Sequence, residues 1–185
     1  MQKHKRPISQ NPSPNLVKYS QKIEINRDKP IIDVACGYGR NGAYFVDQGY
    51  KCIFCDNDDD AINFIKEGTN VSRTGNFNKD LATILKIDLI NDKWIFPEKS
   101  CNGIINVHFY RKELIPLFAQ TIDIGGFLYF ETISARGMNY LELPVYKEVY
   151  NLLSQKFNFI YYNEKEVKSE NLHKATSCIF AVRVK

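Results

Sequence analysis

Three aspartates beside short apolar runs have the clearest chemical potential in this chain. Asp33 interrupts Ile31-Ile32-Asp33-Val34-Ala35, Asp56 ends Cys52-Ile53-Phe54-Cys55-Asp56, and Asp88 follows Thr83–Ile87. Between the first two lies Gly37-Tyr38-Gly39-Arg40-Asn41-Gly42, a literal G-x-G-x-x-G, whose glycines let backbone approach a ligand. With an acid closing the next strand, that pattern is compatible with a dinucleotide. An acid inside the first strand, a third strand-end acid and the short chain all count against one, since carboxylates repel a diphosphate. A phosphate-free nucleoside with a sulfonium and an ammonium, which describes S-adenosyl-L-methionine, suits them better. Asp33 would order the turn and favour the cationic end. Asp56 would accept from both ribose hydroxyls with Asn57 beside the adenine, and Asp88 would accept from the adenine amino group. Charge-assisted bonds of this kind are the stronger class. Each acid alone could equally cap a helix; together, at matching strand ends, they point to one site.

The elements that must hold these residues follow from pattern. The spacing of Leu16, Val17, Tyr19 and Ile23 predicts a short helix from Pro14, which either flaps over the site or packs on the sheet. Strands are expected over Ile31–Ala35, Cys52–Asp56, Thr83–Ile87, Gly103–Val107 and Phe127–Ile133, the last opened by a turn at Gly125-Gly126. Helices alternate with them: one over Asn41–Gln48, one begun by Asp58, Asp59 and Asp60 as capping acids, one through Leu114–Ile122, and one through Val145–Leu153. Two β-rich runs, Phe157–Tyr162 and Cys178–Val184, finish the chain with a polar connection between them. Strand–helix alternation argues an α/β fold, a parallel sheet covered on both faces, with an antiparallel addition at one edge. In such sheets ligands bind beyond the carboxyl ends of the strands.

At 185 residues with 44% hydrophobic and 25% charged content, the chain suits one soluble domain, expected over 14–185 behind a loose tail of residues 1–13. Its net charge of +4 is mild, and the basic start (Lys3, Lys5, Arg6) reads as a solvated tail, so nucleic acid is disfavoured as a partner. No apolar run is long enough for a signal peptide or a membrane span, which predicts a cytoplasmic protein without a membrane partner. Five cysteines without framework spacing predict reduced thiols. The Cys52–Cys55 pair lies in a strand-like run with no second pair to complete a zinc site, and the histidines lack metal-ligand spacing, so no metal is expected.

The segment Asp33-Val34-Ala35-Cys36-Gly37-Tyr38-Gly39-Arg40-Asn41 resembles the first motif of class I S-adenosylmethionine-dependent methyltransferases, in the form found in the small bacterial tellurite-resistance-like branch. The likeness extends through Phe54-Cys55-Asp56, Ile87-Asp88-Leu89, the Gly125-Gly126 pair and the closing strands. It implies a Rossmann-like, seven-stranded sheet of order 3-2-1-4-5-7-6 with strand seven antiparallel. It also implies methyl transfer to a small-molecule acceptor, with S-adenosyl-L-homocysteine released. The expected cofactor residues are Asp33, Ala35, Gly37, Tyr38, Gly39, Asp56, Asn57, Asp88, Leu89, Asn106 and Val107. Two departures stand out. Asn102 replaces an acid common in relatives, which would affect the sheet's edge. Val107-His108-Phe109-Tyr110 is not the tetrapeptide of amino-methylating DNA enzymes.

Methyl transfer needs mainly collinear placement of nucleophile, methyl and sulfur, so a missing catalytic motif is no objection. The acceptor-site candidates are His108, Tyr110 and Arg111 after the fourth strand, with Glu131, Arg136 and Tyr140 around and after the fifth. His108 could take a proton, and Arg111 and Arg136 could bind an anion. A non-catalytic cofactor-binding module and an RNA methyltransferase are the rival readings.

Overall fold

The computed structural model describes residues 10–134, 146–169 and 172–185. Strand β1 (Ile31–Val34) is buried along its whole length, as befits a central parallel strand with helices on both faces. It pairs in parallel with β2 (Cys52–Asp56) on one side and β4 (Cys101–Val107) on the other. Strand β3 (Ala82–Lys86) continues beyond β2. Strand β5 (Ile122–Ser134) lies beside β4, and the antiparallel pair β6 (Phe157–Ser169) and β7 (Leu172–Arg183) closes that edge. The order is β3-β2-β1-β4-β5-β7-β6, the order implied by the resemblance.

Alternation along β1 decides which side chain meets which layer. Ile32 and Val34 join Ile104, Leu128 and Phe130 beneath α4 (Leu114–Thr121) and α5 (Tyr146–Leu153). Ile31 turns to the other face, into a cluster with Phe45, Ile105, Phe127, Tyr129 and Phe180. Asp33 shares that second face and therefore points at α2 (Arg40–Val46). Helix α3 (Asp59–Glu67) begins as expected, with the Asp58 carboxylate accepting from the N–H groups of Asp60 and Ala61.

Several expectations are corrected. Of the two placements open for helix α1 (Pro14–Ser20), the structure has packing on the sheet, with Leu16 and Tyr19 buried in the second cluster. Strand β5 starts before Gly125-Gly126: Cys101 faces Ile122 while Gly103 faces Phe127, so the register shifts across the glycine pair, which lies within the strand. The polar connection near the C-terminus is itself strand. Residues 163–169 and 172–177 continue the β6–β7 ladder, because main-chain pairing requires no apolar side chains. Asn102 is buried in a central strand, and its amide donates to Asn26 O, Asp28 Oδ1 and Lys29 O, pinning the approach to β1 rather than acting at an edge. Cys52 and Cys55 fall on opposite faces of β2, and burial pushes both thiols well above their ordinary range, consistent with core packing. Among the described residues there is no group of metal-ligating side chains, and no helix is long and apolar enough to cross a membrane.

Candidate active site

The parallel strands β1, β2, β4 and β5 end on one rim, and there the chain after β1 makes a tight left-handed turn. Ala35, Gly37 and Gly39 have φ of 50°, 53° and 75°, and Gly39 caps α2. Repeated positive φ curls the backbone so that successive N–H groups can line a concavity. The turn is held by Cys36 N–H donating to Cys55 O at 2.9 Å and Gly39 N–H donating to Cys36 O at 3.0 Å. Gly37 N–H donates to Asp56 Oδ2 at 2.7 Å. A Cβ on Gly39 would come within 3.0–3.2 Å of Ile65 and Phe54, so that glycine serves close packing as well as φ.

Ala35 carries a side chain where a left-handed φ disfavours one. Such strain costs of order 1–3 kcal/mol and gathers at functional sites. Ala35→Gly would relieve it, less about 0.5–1 kcal/mol of extra backbone entropy. The expected result is a net stabilisation of about 1 kcal/mol, measurable by denaturant unfolding.

A cavity of about 430 Å³ opens between this turn and the end of β4. Asp33, Ala35, Gly37 and Tyr38 line one side of it, and Val107, His108 and Phe109 the other. Cys36, Arg40 and Asn41 also line it, and these three, like Phe109, are not among the residues expected from sequence. His108 is a second non-glycine residue with positive φ, 60°, so two such residues belong to the walls of one cavity.

Asp33 is buried at the cavity wall, and its Oδ2 accepts from Gly42 N–H at 2.8 Å. Burial, and secondarily the negative charge of Asp56, raises its pKa to about 8; the Gly42 N–H and the Arg40 charge oppose that rise. A carboxyl so placed is poised to ionise when a cation arrives. On the other face, Asn106 is buried at the end of β4 and its Oδ1 accepts no hydrogen bond.

The remaining candidates are placed as follows. Asp56 is buried and already busy: Oδ1 accepts from the N–H groups of Asn57 (2.8 Å) and Asp58 (3.0 Å), and Oδ2 from Gly37. It organises two loops at once, with both carboxylate oxygens engaged by backbone N–H groups. Asp88 accepts from Ile90 N–H and Asn91 Nδ2, which lower its pKa and build its own turn; Arg111 adds a weaker attraction. Leu89 packs against the core. The Tyr110 ring lies 6.1 Å from Phe130, edge-on, and Tyr110 and Arg111 are not among the cavity-lining residues. Arg136 and Tyr140 fall outside the described residues. The N-terminal segment reaches the site, with Ser13 N–H donating to Asn41 Oδ1 and Arg40 Nη1 to Asn11 O, both at 2.9 Å, so the expected loose tail is tied down from Asn11 onward.

Among solved structures, this chain is similar to an S-adenosylmethionine-dependent methyltransferase from Methanosarcina mazei, with a TM-score of 0.68 at 16% identity, covering 94% of this chain and 99% of that one. It is similar to TehB from Haemophilus influenzae, with a TM-score of 0.71 at 17% identity over 92% of this chain and 62% of that one. A geranyl diphosphate C-methyltransferase from Streptomyces coelicolor A3(2), whose structure holds S-adenosyl-L-homocysteine, gives a TM-score of 0.68 at 10% identity, over 92% and 80% of the two chains. No curated protein sequence matches. These likenesses establish the Rossmann-like class I methyltransferase fold. The profile of the tellurite resistance protein TehB family matches residues 14–121, more than half the chain, and the chain therefore belongs to that family.

Proposed function

We propose that this protein is an S-adenosyl-L-methionine-dependent methyltransferase acting on a small molecule. The observation that carries the reading is a buried carboxyl, Asp33, on the wall of a cavity bounded by the left-handed turn. The residues present fit the methyl donor. Asp33, once ionised, holds the cationic end, and the backbone of Ala35, Gly37, Tyr38 and Gly39 shapes the bed. Asp56 and Asn57 take the ribose side, Asp88 and Leu89 border the adenine, and Asn106 and Val107 flank the methionine part. When bound, that group supplies a methyl already activated by its sulfonium. The chain's own task is to hold the acceptor in line and exclude water, which can contribute roughly 7–11 kcal/mol. An acceptor cavity lined by His108, Arg111 and Arg136 would favour an enzyme over a non-catalytic module; of these His108 lines the cavity, Arg111 does not, and Arg136 lies outside the described residues, so release of S-adenosyl-L-homocysteine with an acceptor is what separates the two. Tyr110, Arg111 and Arg136 remain candidates for the acceptor's outer contacts, and the reading places the protein in the cytoplasm.

Asp56 gives a direct test. Asp56→Ala is expected to weaken donor binding more than about tenfold through loss of a charge-assisted bond. It should also cost about 1–3 kcal/mol of stability, since three backbone N–H groups lose their acceptor. Calorimetric titration and thermal unfolding on the same sample check both, and unchanged affinity would show that the ribose contact is misplaced.

A further inference from the structure

At the ends of β4 and β5, the cavity-lining His108 adjoins an arrangement that the donor contacts proposed above do not use. Val107 pairs with Glu131, and His108, the next residue, donates its backbone N–H to Glu131 O at 2.7 Å. Its imidazole Nε2 lies 3.8 Å from Glu131 Oε1. The other carboxylate oxygen of Glu131 accepts from the hydroxyl of Tyr129, a fully buried residue. The Tyr129 oxygen accepts in turn from Cys178 Sγ–H at 3.6 Å, and the Cys178 sulfur accepts from Asn15 Nδ2 at 3.7 Å. Donation thus runs one way, from α1 through β7 and β5, and ends on the Glu131 carboxylate. Burial, helped by Cys178 and Glu131, raises the Tyr129 phenol far above its ordinary value, so Tyr129 keeps its proton and remains a donor. The oxygen of Glu131 that Tyr129 does not use faces His108.

We propose that His108 takes the proton of the methyl acceptor, that Glu131 and Tyr129 are positioning residues for its imidazole, and that the acceptor is a neutral thiol. This rests on the methyltransferase reading of the same cavity. A general base works best on an acid of comparable strength. An ordinary thiol lies about two units from an ordinary imidazole, and an aliphatic alcohol lies far beyond. The titratable and charged groups facing His108 across the cavity are Asp33, Cys36, Tyr38 and Arg40. The wall beside His108 is Val107 and Phe109, an apolar surface against which an uncharged thiol can sit. The step balances. A sulfur lone pair forms the new bond to the methyl carbon, and the donor's carbon–sulfonium bond breaks with its electron pair retained on the donor sulfur. The thiol proton passes to His108, whose side chain, 62% exposed, returns it to solvent.

Two probes test this: benzyl mercaptan, protonated at neutral pH, and 4-nitrothiophenol, already ionised. In turnover, His108→Gln and Glu131→Gln should slow benzyl mercaptan about 100-fold more than 4-nitrothiophenol. Tyr129→Phe should lower kcat with KM little changed, and raising the pH until the thiol ionises unaided should shrink every deficit. Equal losses on both thiols, or a wild type that binds the homocysteine product yet methylates neither thiol, would overturn the proposal. Absence of product binding on folded protein would instead overturn the methyltransferase reading, and this inference with it.

Discussion

Replacing Asp33 by asparagine should lower affinity for S-adenosyl-L-methionine by about a hundredfold or more. Truncating one partner of a buried charge pair costs about 2–5 kcal/mol, and each 1.4 kcal/mol is about tenfold. The backbone need not suffer, because the asparagine oxygen can still accept from Gly42 N–H, the 2.8 Å bond that ties β1 to α2. The pH dependence separates this from general damage. Folding raises the Asp33 pKa from 3.8 to about 8, chiefly by burial. Between those values the folded chain holds a proton that the unfolded chain has lost. The contribution of Asp33 to stability is therefore greatest at the acid end of that window and falls as pH rises towards 8. Asp33→Asn lacks that fall, so its melting temperature relative to wild type should climb with pH across the window. Donor binding shows the complementary effect. A cation closing on Asp33 expels its proton, so affinity should increase as pH approaches 8. It should turn over above that, where an α-amino group loses its own charge, at about 8. Thermal unfolding and titration calorimetry over a pH series read both trends, and flat profiles for both would detach Asp33 from the donor.

Gly42→Ala should destabilise the protein by about 2 kcal/mol net. A helical alanine gains up to about 1 kcal/mol over glycine, but here the new carbon would lie 2.5 Å from Phe54 Cε1 and 2.8 Å from Cys52 Sγ. It would also lie 3.0 Å from Asp33 Oδ2. Phe54 and Cys52 are buried core residues with little room to give, and overpacking of this sort costs about 1–3 kcal/mol. The melting temperature should drop by about 4–8 °C, and donor affinity should fall as well, because α2 is pushed off the carboxylate it helps position. A melting temperature equal to or above that of wild type would show that the α2–sheet contact is looser than the structure has it.

The glycines and acids of the turn were legible because their chemistry is local. Asp33 breaks an apolar run, Asp58 precedes a helical period, and Gly37 and Gly39 supply left-handed backbone that few other residues adopt. Periodicity also revealed the alternation of strands and helices, whereas the strand order came with the family resemblance. What sequence hid depended on contacts between distant segments. The polar β6–β7 extension shows no apolar alternation, since its pairing is main-chain. Asp56 reads as a free strand-end acid, yet it is spent largely on the backbone of Gly37, Asn57 and Asp58. Asp88 likewise builds its own turn. The line from Asn15 through Cys178 and Tyr129 to Glu131 joins residues from both ends of the chain. No spacing rule could have found it; the only visible signal was an acid, Glu131, inside an otherwise apolar strand.

Titration calorimetry of the folded wild-type chain with S-adenosyl-L-methionine and S-adenosyl-L-homocysteine, run near neutral pH in two buffers of different ionisation enthalpy, tests the central claim most directly. The account predicts one binding site for each ligand and a net proton released on binding S-adenosyl-L-methionine, traceable to Asp33 by its absence in Asp33→Asn. No binding heat in either buffer with either ligand would contradict it.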